Sequence, residues 1–274
     1  MVTSKWKKHL FFMCKLLVGI IVFSPILYAL LVSFMTPSQV SSYPPKVIPD
    51  SLNIVNYRAV LERFPLFTYL GNSLITCAII IMSQVVMSSL AAYAFTFFSF
   101  PGKNILFAAV LTTMMIPGET IIIANYLTIC NMNLINSYAA LVLPYLVSGM
   151  GIFLLRQFYL TLPGELREAA SIDGCGDWRF LWYIAAPVSL PSICALSVYV
   201  FVVTYNQYMW PLFVTNSSNM RTVQVGMSML MDAETTNYGN VTAGAIMVLI
   251  PVIFIYVIGQ QYLVKGMTSG AVKG

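Results

Sequence analysis

The chain has 274 residues, of which 59% are hydrophobic and only 8% are charged. A soluble domain carries roughly a quarter charged residues, so this composition excludes an ordinary soluble fold as well as a disordered, collagen-like or disulfide-stabilised chain. Membrane proteins keep basic residues in cytoplasmic loops, which accounts for the net charge of +5 without a nucleic-acid partner. The composition therefore predicts an all-α polytopic protein embedded in a lipid bilayer.

Six stretches are long and apolar enough to cross a membrane, since a spanning helix needs about 20 mostly apolar residues. They lie at about residues 10–34, 67–98, 105–129, 138–158, 190–214 and 241–264. Five of them contain proline: Pro25, Pro117, Pro144, Pro211 and Pro251. Because proline removes a backbone hydrogen bond, we expect bent helices around a cavity, all within one transmembrane domain, residues 1–274.

Basic residues set the predicted orientation, because cytoplasmic loops carry an excess of Lys and Arg. With the N-terminus inside, ten basic residues lie on the inner side and four on the outer side. The inner group is Lys5, Lys7, Lys8, Lys15, Lys103, Arg156, Arg167, Arg179, Lys265 and Lys273, and the outer group is Lys46, Arg58, Arg63 and Arg221. The sequence therefore predicts a multi-pass protein with both termini in the cytoplasm.

Catalytic and metal-binding chemistry has few candidate residues in this chain. The five cysteines are scattered and His9 is the single histidine, so we predict no Cys/His metal cluster. The sequence also lacks a nucleophile–base set and the phosphate-binding motif G-x-x-x-x-G-K-[ST]. We therefore expect a protein that is not an enzyme, with no catalytic residue, no metal and no cofactor of its own.

The inner loop, about residues 159–189, is predicted to form a helix–turn–helix. Gly174 suits the C-terminal cap of the first helix, a position that favours positive φ. Asp177 can cap a second helix through its side chain, and Pro187 is expected to end that helix. The turn would place both short helices on the cytoplasmic face of the membrane.

A spaced motif in this loop resembles that of a known family. The residues are Glu168-Ala169-Ala170, then Gly174, then Ile184-Ala185-Ala186-Pro187. This pattern resembles the EAA motif of the permease subunits of bacterial ABC importers, with Ala186 in place of the usual leucine. Leu162–Arg167, Asn133–Tyr138 and Tyr205–Pro211 look like the carbohydrate-uptake branch, which includes the maltose and glycerol-3-phosphate permeases. The resemblance covers nearly the whole chain.

The resemblance implies a multi-subunit importer in the bacterial cytoplasmic (inner) membrane. Its partners would be a second homologous permease subunit, a cytosolic ABC ATPase dimer that binds ATP and Mg, and an extracytoplasmic substrate-binding protein. Glu168 would be the polar anchor of the loop on the ATPase, Ala169 and Ala170 its close contacts, and Gly174 the turn between the helices. The implied coupling residues are Glu168, Ala169, Ala170, Asp173, Gly174 and Pro187.

Polar residues within the predicted spans are candidates for the substrate pathway, because polar groups in hydrocarbon are costly. The candidates are Glu119, Asn206, Gln207, Tyr208 and Trp210. Amides suit hydroxyl-rich ligands and aromatic faces suit sugar rings. The same residues could instead bridge helices or lie in the interfacial aromatic belt.

The sequence thus predicts a permease subunit of an ATP-driven ABC importer for a sugar or related polyol. An alternative substrate is sn-glycerol-3-phosphate, although no span centre carries the Lys or Arg that a phosphate favours. The alternative from another class is a secondary transporter or channel. Such a protein needs coupling carboxylates deep in the membrane, and this chain offers only Glu119.

Overall fold

The computed structural model describes residues 5–231 and 237–268, with side chains for residues 6, 9–231 and 237–260. The helices are α1 (Lys5–Ser33), α2 (Pro37–Val40), α3 (Val55–Arg63), α4 (Leu66–Phe97), α5 (Lys103–Thr113), α6 (Ile122–Asn131), α7 (Tyr138–Val142), α8 (Gly149–Tyr159), α9 (Gly164–Ile172), α10 (Asp177–Phe180), α11 (Ala186–Val188), α12 (Leu190–Tyr205), α13 (Met209–Val214), α14 (Val223–Met231) and α15 (Tyr238–Thr268). Short 3-10 turns cover Gly118–Ile121, Leu143–Tyr145 and Ser218–Met220, and a π-helical turn covers Leu181–Ala185. The all-α class is confirmed, since these ranges contain no strand.

Three helices are each long and apolar enough to cross a membrane: His9–Ser33 within α1, Leu66–Phe97, and Tyr238–Gln260 within α15. Three further segments pass the same test only as bent pairs: Lys103–Thr113 with Gly118–Asn131 (90°), Tyr138–Tyr145 with Gly149–Tyr159 (48°), and Asp177–Val188 with Leu190–Tyr205 (77°). If each bent pair is one crossing, the described residues contain six, which agrees with the predicted polytopic architecture.

Prolines account for part of the bending. The break between α5 and α6 contains Pro117, whereas α1 stays helical through Pro25. A proline at position i leaves the carbonyl of residue i−4 without its helical donor. The Ser24 hydroxyl donates to that carbonyl, Ile21 O, at 2.8 Å in α1. Side chains can therefore replace the lost backbone bond where water is scarce.

The chain divides into two compact units, Met1–Leu66 with Gly226–Ile250, and Phe67–Val225 with Pro251–Gly274. The second unit contains the larger apolar core. Its fully buried side chains include Ile80, Leu155 and Leu196, from α4, α8 and α12. Gly151 of α8 leaves room for Ser88 and Leu196, because a Cβ there would collide with the Ser88 hydroxyl. A small residue at this point lets the helix backbones approach closely.

The first unit depends on a buried amide in α3. Asn56 is 2% exposed, and its Nδ2 donates to Ser33 O at 2.9 Å and to Met35 O at 2.7 Å. These carbonyls lie at and just after the C-terminal end of α1, where backbone acceptors lack helical donors. Gly239 at the start of α15 leaves space for the same amide. The Asn56 side chain therefore fixes the path of the chain as it leaves α1.

We expect Asn56→Ala to destabilise the protein by about 2 kcal/mol, because two buried carbonyls lose their donor. Thermal denaturation in detergent would measure the effect. Asn104→Ala, which removes an exposed amide, is the matched control. Equal denaturation temperatures for the two variants would show that Asn56 does not hold the end of α1.

Candidate coupling hairpin and substrate pathway

Residues 164–188 form two short helical segments joined by a tight turn, here named the coupling hairpin. Gly174 in the turn has φ of +75°, a conformation that costs other residues energy because of their Cβ atom. The Cys175 amide donates to Ala170 O at 2.9 Å and the Gly174 amide to Ser171 O at 3.1 Å. These two bonds are those of a Schellman cap, which satisfies the last carbonyls of α9.

Two details of the hairpin differ from the expectation. Asp177 is the first residue of α10 and Gly176 takes the cap position, with no side-chain cap bond. The second helical segment ends at Val188, one residue after Pro187 and not at the proline itself. It contains a π-helical turn over Leu181–Ala185, and the chain bends by 77° before α12.

The implied coupling residues lie on both faces of the hairpin. Glu168, Ala169, Asp173, Gly174 and Pro187 are exposed, whereas Ala170 is buried in the core of the second unit. Large apolar side chains of the hairpin are exposed as well: Ile172, Trp178 and Tyr183 are 86%, 68% and 77% exposed. Exposed apolar groups of this size indicate a surface that contacts another protein or the membrane.

The opposite face of the hairpin is tied to the C-terminal end of α4 by three side chains, here named the Asp177 cluster: Tyr93, Arg167 and Asp177. Asp177 Oδ1 accepts from the Tyr93 hydroxyl at 2.7 Å and from Arg167 Nη2 at 2.9 Å. Arg167 Nη1 also donates to Phe97 O at 2.8 Å. The motif residue Glu168 thus follows directly after a residue that is anchored on α4.

Cationic side chains donate hydrogen bonds to the carbonyls at the C-terminal end of α4. Arg156 Nε donates to Phe95 O at 3.3 Å, Lys103 Nζ to Thr96 O at 3.3 Å and to Phe98 O at 2.7 Å. Arg167 takes Phe97 O, as described above. The last carbonyls of a helix lack internal donors and carry its negative dipole end, so cations stabilise them. Three separate segments therefore converge on the end of α4.

A cavity of about 170 Å³ lies in the second unit near the bend between α7 and α8. Its lining residues are Gln84, Tyr145, Val147, Ser148, Tyr199, Val200, Val203, Thr204 and Gln207. Gln84 Nε2 donates to Tyr145 O at 2.7 Å, a carbonyl next to that bend. All the lining side chains are uncharged. The wall offers hydroxyls, amides and two aromatic rings, which suit a neutral hydroxyl-rich ligand.

The predicted pathway residues are only partly brought together. Gln207 lines the cavity, while the exposed Asn206 donates to Val202 O at 2.8 Å and accepts from Gln224 at 3.4 Å. Tyr208 is exposed outside the cavity lining, and Glu119 is exposed in the 3-10 turn between α5 and α6.

Trp210 bridges two helices of the second unit. It is 2% exposed, and its Nε1 donates to Ala140 O at 3.0 Å. This is the carbonyl that Pro144 leaves without a helical donor. The Tyr145 ring lies 6.3 Å from the indole, edge to face. In this structure Trp210 supports the cavity wall through Tyr145 and is absent from the lining itself.

The sequence did not single out Tyr93 or Gln84, and it pointed to Arg167 only for the orientation and within the segment Leu162–Arg167. Gln84 is an amide inside a predicted span, so the argument applied to Asn206 could have selected it. Tyr93 carries no comparable signal, because it belongs to an apolar run and its partner Asp177 is 84 residues away.

Comparison with known proteins gives consistent matches. Residues 84–269 match the profile of the family described as binding-protein-dependent transport system inner membrane component. The sn-glycerol-3-phosphate transport system permease protein UgpE of Brucella abortus (strain 2308) is 37% identical over 264 residues, which cover 93% of this chain and 94% of the relative. The arabinooligosaccharides transport system permease protein AraQ of Halalkalibacterium halodurans is 31% identical over 253 residues, covering 91% of each chain.

The fold also matches a solved structure. One chain of a bacterial ABC transporter involved in the import of the acidic polysaccharide alginate superposes with a TM-score of 0.81 at 19% identity. The match covers 96% of this chain and 99% of the other. At this identity the likeness concerns the fold alone, whereas the profile and the relatives decide the family. The chain belongs to the family of inner membrane components of binding-protein-dependent transport systems.

Proposed function

We propose that this chain is one of two homologous permease subunits of an ATP-driven importer. The observation that carries the proposal is the coupling hairpin, which presents Glu168 and Ala169 with an apolar face on one side and is anchored to α4 on the other. Such an element can bind a separate protein and transmit its movement. The family match favours this function over the secondary transporter or channel.

The proposal requires partners on both sides of the membrane. A cytosolic ABC ATPase dimer would bind ATP and Mg and contact the exposed face of the hairpin. An extracytoplasmic binding protein would deliver the substrate, a partner that is supported by the family description of a binding-protein-dependent transport system. The predicted orientation, with both termini in the cytoplasm of a bacterial cell, places the hairpin on the ATPase side.

The mechanism follows from the connection between the hairpin and the helices. Closure of the ATPase dimer on ATP would shift the hairpin, and the packed helices would rock between inward-facing and outward-facing arrangements. Hydrolysis would reset them. A distant nucleotide can bias such a two-state equilibrium only through contacts that differ between the two states. The hairpin provides these contacts.

We propose a sugar or related polyol as the substrate. The neutral cavity supports this choice, because hydroxyls and amides bind sugars without a fixed charge. The relatives also support the alternative, sn-glycerol-3-phosphate, since UgpE is named for its transport. In that case the second permease subunit would have to supply the cation for the phosphate.

Two glycines of the hairpin provide a test of the coupling role. We expect Gly174→Val to impair ATPase association or uptake per ATP hydrolysed, because a β-branched residue at positive φ is strained by roughly 1–2 kcal/mol. Gly176→Val is the control, since Gly176 has φ of −70° and open space around its Cα. Glu168→Ala should impair the same two quantities.

Co-purification in mild detergent and uptake in reconstituted vesicles would measure these effects. Normal ATPase association and coupling in both Gly174→Val and Glu168→Ala would refute the coupling role of the hairpin.

The cavity provides a second test. We expect Gln207→Ala to reduce uptake roughly threefold to tenfold while assembly is unchanged, because the loss of one neutral hydrogen bond costs about 0.5–1.5 kcal/mol. Asn206→Ala should have a smaller effect, since its amide bonds to the protein. Gln157→Ala removes an exposed amide outside the cavity lining and is the control. Uptake by Gln207→Ala equal to the control would remove this residue from the pathway.

A further inference from the structure

The Asp177 cluster joins the coupling hairpin to α4 through contacts outside the sequence motif. We propose that Tyr93, Arg167 and Asp177 make the hairpin and the C-terminal end of α4 move as one body, so that α4 receives the movement imposed by the ATPase. Tyr93 and Arg167 are thus positioning residues for coupling. This inference rests on the proposed function.

Aromatic packing surrounds the polar contacts. Phe180 of the hairpin is 2% exposed, and its ring lies 5.7 Å from that of Phe97 and 6.2 Å from that of Tyr93. The Arg167 guanidinium lies 5.3 Å from the Phe97 ring. Aromatic and cation–π contacts at these distances favour one arrangement of the two elements. The hairpin therefore packs against α4 in one defined position.

The Arg167–Asp177 ion pair lies within the hairpin, with side chains that are 33% and 51% exposed, so it does not by itself join the hairpin to α4. The hairpin and α4 are connected because Asp177 and Arg167 each make hydrogen bonds to both elements. The Asp177 carboxylate accepts from the hairpin and from α4, and the Arg167 guanidinium donates to both. Tyr93 contributes the hydroxyl from the α4 side, so its removal weakens the link without affecting the ion pair.

The covalent route from the hairpin into α12 is less direct than the contact with α4. Between α10 and α12 the chain passes through the π-helical turn and then bends by 77°. Departures from the regular helical ladder are the places where helices bend. A displacement of the hairpin can be absorbed there, whereas the contact with α4 has no such break.

The experiment compares Tyr93→Phe and Asp177→Ala in the complete complex, reconstituted in vesicles. We expect uptake per ATP hydrolysed to fall roughly fivefold in Tyr93→Phe and further in Asp177→Ala, from the loss of one or both hydrogen bonds to a carboxylate. ATPase association and hydrolysis should persist, and Asp177→Glu should retain most of the coupling. Tyr138→Phe is the matched control, because its hydroxyl donates to Asn72, also on α4, at 2.6 Å.

Wild-type uptake per ATP hydrolysed in Tyr93→Phe would overturn the inference, whatever the result for Asp177→Ala. If Asp177→Ala fails to assemble, Tyr93→Phe decides, since it keeps the ion pair. Impaired coupling in Glu168→Ala together with normal coupling in Tyr93→Phe would reject this inference and leave the proposed function intact. Normal coupling in Glu168→Ala and Gly174→Val would count against the proposed function itself.

Discussion

A helix that ends at a membrane leaves its last carbonyls without donors, and this constraint organises the second unit of the molecule. At the end of α4, Lys103, Arg156 and Arg167 supply those donors. They come from the first residue of α5, from α8 and from the coupling hairpin. The end of one helix is thus the point where three segments are fixed together, and the hairpin takes its position from it.

The same constraint applies at the bend between α7 and α8. Pro144 leaves the Ala140 carbonyl without its helical donor, and the buried Trp210 indole donates a hydrogen bond to that carbonyl. Gln84 donates a hydrogen bond to Tyr145 O, next to the bend between α7 and α8. Polar side chains near the cavity therefore complete the backbone with some of their atoms, and in the proposed function their remaining atoms would contact the ligand. Assigning a residue to helix bridging or to ligand contact is then a question about individual atoms.

Much of the fold could be predicted from local pattern. A low content of charge and long apolar runs indicate an all-α membrane protein, and the positive φ of Gly174 follows from its place after a short helix. What could not be predicted depends on contacts between distant residues. The side chain of Asp177 bonds to Tyr93 and Arg167, where a local argument gave it a capping role. Likewise, Trp210 is buried, although its residue type and its predicted depth in the membrane were equally compatible with an aromatic face that contacts a sugar ring.

The basic residues at the end of α4 have a consequence for biogenesis. Lys103, Arg156 and Arg167 belong to the charge excess that predicts which loops stay in the cytoplasm during insertion. In the folded protein the same charges neutralise the dipole of a finished helix. The side chains that favour a cytoplasmic location during insertion therefore also stabilise the helix end that they contact after folding.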